Sequence, residues 1–143
     1  MLENEVPPRP AHVIRVDESR FEGTGFAYQS LADRSTGCRS LRLNLLQVQP
    51  GAGSPDFHIH AFAQLYVILD GEMTIDVGRA RLRAPRHSIV CLPPGVVHRN
   101  FNASNAVERH ISLLVPEPQQ GEIFDYAVDI HEHEATMLAG IPR

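Results

Sequence analysis

Among the eight histidines of this 143-residue chain, His58 and His60 have the spacing best suited to chemistry. They flank Ile59 in the β-like run Phe57-His58-Ile59-His60. Side chains alternate across a strand, so both imidazoles leave one face, roughly 7 Å apart at their bases. Two nitrogens so placed can meet one metal ion at about 2.0–2.1 Å, with Phe57 and Ile59 turned to the other side. Other chemistries are excluded. The 13 basic residues are all Arg, so Schiff-base catalysis and Lys-dependent phosphate loops are ruled out. Neither a Gly-x-Ser-x-Gly elbow nor a Gly-x-Gly-x-x-Gly fingerprint occurs. Cys38 and Cys91 lack Cys-x-x-Cys spacing, and Cys91, in an apolar run, reads as a small core residue.

The elements that must position these histidines read as strands. Leu41, Leu43 and Leu45 alternate with Arg42 and Asn44. Further strands are expected at Phe57 to His60, Gln64 to Leu69, Met73 to Val77, Ala80 to Ala84, Ser88 to Leu92 and Val107 to Val115. His12 to Val16 reads as a short edge strand and Phe26 to Leu31 as another. Asp70-Gly71, Gly78 and Pro93-Pro94-Gly95 mark the turns. Many short strands without convincing helical periodicity point to a β-sandwich or barrel.

Two stretches carry a family resemblance. Gly53 through His58, His60 and Gln64 to Gly71 resembles the first motif of the cupin superfamily, and Pro93-Pro94-Gly95-Val96-Val97-His98 followed by Asn102 resembles the second. The resemblance implies an all-β fold, a small jelly-roll β-barrel. It also implies one divalent metal ion per chain, held by His58, His60, Gln64 and His98. His87 stands where the second motif opens on glycine and is expected in a hairpin turn. Gln64 stands where most cupins have Glu, and an amide oxygen coordinates without adding negative charge. A dication met by neutral ligands alone favours an anionic substrate or a bound hydroxide. Non-redox cupins acting on sugar acids resemble this arrangement of donors.

Parity places further groups near the site. Tyr66 and Ile68 share the face of Gln64, and His110 and Ser112 share a face of the last long strand. Tyr66 and His110 are the candidate catalytic residues, with either His110 or Ser112 acting as a general base or as a group that supports a metal ligand. Arg42 and Asn44 lie on the non-leucine face, where they would clamp a carboxylate, although solvent is the expected fate of Arg42. His131 and His133 form a second His-x-His, read as a solvated tail. Arg79, Arg81 and Arg83 read as a solvated strand face, too small to bind nucleic acid.

The chain reads as one domain over residues 1–143: an N-terminal arm over 1–11, a barrel core over 38–115, and a tail over 116–143 packed on the barrel or on a partner. A formal net charge of −4 argues against a nucleic-acid partner, and no apolar run is long enough to span a membrane. Met1 to Pro10 carries charges and prolines where a signal peptide has an apolar core, so a cytoplasmic location is expected. His12 to Val16 and the tail residues Ile123, Phe124 and Tyr126 suggest a homodimer. The expected function is metal-dependent, non-redox chemistry on a small, anionic organic molecule, as an isomerase, cyclase, lyase or hydrolase. The donor set admits Zn, Mn, Ni or Fe. An iron-dependent dioxygenase and a non-catalytic metal-assisted binding or sensor domain are the alternatives.

Overall fold

The computed structural model describes residues 10–54, 56–119, 121–122 and 125–131. Their strands are β1 (Phe26–Ala32), β2 (Arg42–Val48), β3 (His58–Ile59), β4 (Ala63–Asp70), β5 (Glu72–Val77), β6 (Ala80–Pro85), β7 (Ile89–Leu92), β8 (His98–Phe101), β9 (Glu108–Val115) and β10 (Tyr126–Ala127). They form two five-stranded antiparallel sheets, ordered β1-β2-β9-β4-β7 and β10-β3-β8-β5-β6. Consecutive strands swap sheets repeatedly, which gives the jelly-roll arrangement expected from the sequence.

Alternation assigns the inner faces. On β4, Gln64, Tyr66 and Ile68 are buried while Leu65 and Val67 are only partly so. On β9, Glu108, His110, Ser112 and Leu114 are the buried set. Tyr66, Ile68, Met73, Ile75, Ala84 and Leu92 pack together as an apolar core. A second part of the interior, around Gln64, Asn100, His110 and Ser112, is polar although buried. Buried polar groups cost free energy unless satisfied, so this half must be organised by hydrogen bonds or a ligand.

Three expectations are corrected. His12 to Val16 forms no strand; Val13 is 89% exposed, and its backbone finds no sheet edge. His98–Phe101, not anticipated as a strand, pairs with β5 and β3. Its buried positions are His98 and Asn100, so the apolar alternation that marks a strand is replaced by a polar one. In the tail, Tyr126–Ala127 adds a strand to β3, which no local pattern announced. Ile123, Phe124 and His133 lie outside the described residues.

The turns behave as expected. Asp70-Gly71 joins β4 to β5, and His87 occupies the β6–β7 turn with φ 69°, rare for a residue other than glycine. Gly53 has a different reason to be glycine. A Cβ there would lie 2.4 Å from the Phe101 Cα and 2.6 Å from the Asn100 carbonyl oxygen, so a side chain would push β8 away. That close approach holds the segment before His58 against the strand that begins with His98.

Candidate metal centre

Backbone pairing brings the histidines together. His58 and His98 sit opposite each other across β3 and β8. Directly opposed residues of an antiparallel pair lie about 4.5–5.5 Å apart at Cα, so their side chains on one face must meet. His60 follows the end of β3, and its carbonyl accepts the Gly95 N–H at 2.9 Å. That bond ties the Pro93-Pro94-Gly95 turn to the His-x-His segment. The ring centroids of His58, His60 and His98 lie 4.4 to 4.9 Å apart. One ligand nitrogen from each ring falls within 4.8 Å of the other two, a spacing that fits a single ion.

Each ring is oriented through Nδ1. His58 Nδ1 lies 3.0 Å from the Asp56 carbonyl oxygen, and His98 Nδ1 lies 2.9 Å from that of Val96. His60 Nδ1 lies 2.8 Å from the Asp125 carboxylate. Acceptors at all three Nδ1 atoms call for the ring hydrogen there, so that Nε2 would be the coordinating atom, the usual arrangement behind metal-ligating histidines. Among the described residues, the buried Nε2 of His98 has no hydrogen-bond partner. A metal would satisfy that atom; the donor set and its burial fit one.

The electrostatics agree. Burial pulls the His98 pKa down to about 4, although the Val96 carbonyl acts in the opposite direction, so the ring is neutral and ready to coordinate near pH 7. Burial raises the Asp125 carboxyl, but the His60 hydrogen bond and the three nearby imidazoles outweigh it and hold the group below the ordinary carboxylate range. Asp125 was missed in the sequence. It lies beyond the barrel, in a segment without metal-ligand spacing, and reaches His60 because β10 pairs with β3.

A cavity of about 360 Å³ opens beside the imidazoles. Gln64, Tyr66, His110 and Ser112 line it, together with His58, His60 and Asp125. Gln64 donates from Nε2 to Ser112 Oγ at 2.8 Å and accepts the Tyr66 hydroxyl at Oε1 at 3.1 Å. These bonds fix the amide and leave a lone pair of its oxygen unused. The Tyr66 hydroxyl also faces Asn100 Oδ1 at 3.4 Å. Burial, then the charges of Asp125 and Glu108, raise the Tyr66 pKa, so it stays a proton donor.

His110 has an unanticipated partner. Its Nδ1 lies 2.7 and 2.9 Å from the two oxygens of Glu108, and both residues are essentially inaccessible to solvent. Nε2 of His110, also buried, has no hydrogen-bond partner among the described residues. Residues i and i+2 on a strand share a face, so the pairing was available from parity. Glu108 was not singled out because carboxylates are usually exposed.

Arg42 is a further correction. It lines the cavity with Asn44 instead of standing in solvent, and its Nε donates to Asn44 Oδ1 at 3.2 Å. Asn102, fully buried, donates to the Val48 and Ala106 carbonyls and organises the β8–β9 turn. His131 is exposed.

Comparison with known proteins gives two positive results. Residues 44–113 match the family model described as the cupin domain. No curated protein matches by sequence. Among solved structures, a cupin 2 conserved barrel domain protein from Salinispora arenicola CNS-205 superposes with TM-score 0.65 at 18% identity, covering 76% of this chain and 92% of that one. The polyketide cyclase RemF from Streptomyces resistomycificus gives 0.66 at 17%, covering 82% and 87%. A predicted oxalate decarboxylase from Thermotoga maritima gives 0.66 at 16%, covering 73% and 99%. At these identities the likeness is one of fold.

Proposed function

Because the chain belongs to the cupin superfamily, with its cupin domain over residues 44–113, we propose that it is a metal-dependent enzyme acting on a small, anionic organic substrate by non-redox chemistry. The observation that carries this reading is the cluster of three imidazoles with ligand atoms within 4.8 Å. His58, His60 and His98 would hold the ion, with the Gln64 oxygen as fourth donor. When bound, the ion supplies Lewis acidity at a substrate oxygen. All four donors are neutral, and the Asp125 carboxylate beside His60 offsets only part of a dication's charge, so the site would stay positive and attract anions.

The chain's own residues supply the rest. Asp125 and the Asp56 and Val96 carbonyls hold the imidazoles in register. Tyr66 keeps the Gln64 oxygen oriented. His110, with Nδ1–H turned to Glu108, presents Nε2 as the acceptor for a substrate proton, and the buried carboxylate stabilises the imidazolium that forms. Isomerisation, cyclisation and elimination all need such a transfer. A cyclase and a predicted decarboxylase among the similar folds are in keeping with it.

Metal analysis of protein purified without a chelating tag, followed by screening of organic acids under an oxygen electrode, tests this reading. Zinc, manganese or nickel with turnover and no oxygen uptake is the expected result. Iron with substrate-dependent oxygen uptake would replace it with the dioxygenase.

We also propose a homodimer, supported by apolar side chains left in solvent: Leu69 is 40%, Ile89 60% and Val115 38% exposed, all on one sheet. Sedimentation at micromolar concentration should give twice the chain mass, and a stable monomer would rule it out.

A further inference from the structure

We propose that Arg42 and Asn44 form an anion subsite at the mouth of the cavity, which holds a carboxylate of the substrate while a second oxygen of the same molecule faces the three imidazoles. The second half of this inference rests on the metal-dependent reading above; the first does not.

Arg42, Asn44 and Leu46 are the inward positions of β2, and all three line the cavity. Arg42 is half-buried. Among the described residues its guanidinium has one hydrogen-bond partner, the Asn44 side-chain oxygen, and no carboxylate. The other paired arginines of the barrel differ: Arg81 and Arg99 are bound to Asp76, Arg83 to Glu72 and Arg109 to Glu18. A cation partly withdrawn from water without a counter-ion is destabilised, and an anionic ligand relieves that cost. The terminal guanidinium nitrogens and the Asn44 amide nitrogen are all donors, a set that matches a carboxylate and repels a cation.

Two further details fix what the subsite is for. Arg42 and Tyr28 border both the cavity and an adjoining surface groove, so they stand where a solute enters. The Tyr28 hydroxyl is engaged by Glu22, which leaves its ring as a wall and the anion to Arg42. Across the sheet, Arg42 is opposite Leu114, and Leu114 is opposite Gln64. Two strand spacings therefore separate Arg42 from Gln64, about 10 Å between backbones. Side chains reaching inward from both sides leave room for a molecule whose two oxygen functions lie a few bonds apart. The substrate class is thus a short organic acid with a carboxylate at one end and a carbonyl, hydroxyl or second carboxylate at the other.

The test is calorimetric titration of the metal-loaded protein with malonate, succinate and glutarate, and with their dimethyl esters. At least one diacid should saturate in the millimolar range or below, with the esters weaker. Arg42→Gln should weaken that diacid about ten-fold or more, as expected for loss of a charge-assisted pair, with metal content unchanged. Arg42→Lys should recover part of the loss. Equal affinity in Arg42→Gln and wild type, or no saturation by any diacid, overturns the proposal. The metal arm is separated by repeating the titration after chelation. Arg42-dependent binding in a protein that takes up no metal would leave the subsite standing and remove the metal-dependent reading. Full metal occupancy without Arg42 dependence would do the reverse.

Discussion

Replacing His60 and His98 together with Ala is expected to take the protein from about one divalent ion per chain to none. Two donors remain, His58 and the Gln64 oxygen, and two donors do not form a closed site for a transition ion. The loss is of the whole affinity rather than a fraction, because half of the donor set is removed. Elemental analysis of dialysed protein measures it. His131→Ala, at an exposed histidine, should leave the metal content unchanged. Gln64→Ala should lower affinity without emptying the site. Full occupancy in the double variant would remove the three imidazoles from the account.

The second large effect is on stability in acid. In the metal-free protein the His98 pKa is about 4 in the folded chain, against 6.5 as the ordinary value, because burial disfavours the imidazolium. The unfolded chain therefore takes up this proton first as pH falls. Stability from this group is complete above pH ~6.5 and is lost progressively down to pH ~4. A shift of this size corresponds to about 3 kcal/mol at the acid end of the window. Asp76 and Asp125, whose carboxyls lie below the ordinary 3.8, act in the same direction but at lower pH. Urea unfolding of chelator-treated protein at pH 7 and pH 4.5 should show the loss, and His98→Asn should remove most of the pH slope. An unchanged midpoint in the wild type would show that His98 is protonated without penalty. With metal present the dependence should be steeper, since imidazole must be neutral to coordinate.

His60 was legible from local strand geometry, whereas His98, which carries the acid effect, was legible only through the family resemblance, because its strand was not anticipated. Period-two alternation marks a strand whichever face is apolar: in β2, Leu43 and Leu45 alternate with the cavity-lining Arg42 and Asn44, and in β4 and β9 apolar residues alternate with Gln64, His110 and Ser112. His58 and His60 are legible because their i, i+2 relation is fixed by the strand itself. Where the interior turns polar, the same signal inverts: β8 buries His98 and Asn100 and shows no apolar stripe to read. Charged residues were assigned to solvent by default, which hid Glu108 behind His110 and placed Arg42 outside a cavity that it lines. Asp125 was beyond reach for another reason. Its contact with His60 spans 65 residues of chain, the difference between their numbers, and depends on a two-residue strand pairing that carries no local pattern. His12 to Val16 shows the opposite error, an alternation of apolar residues with no sheet edge beside it.

The orientation of the imidazoles makes the account specific at the level of single atoms. Nδ1 of His58, His60 and His98 is engaged by Asp56, Asp125 and Val96, which assigns coordination to Nε2. A crystal structure of the metal-loaded protein, with anomalous diffraction at the absorption edge of the bound element, tests that assignment most directly. One anomalous peak per chain is expected, about 2.0–2.1 Å from Nε2 of all three histidines, with the three Nδ1 contacts intact. A peak bound through Nδ1, or one lying away from the three rings, would contradict it.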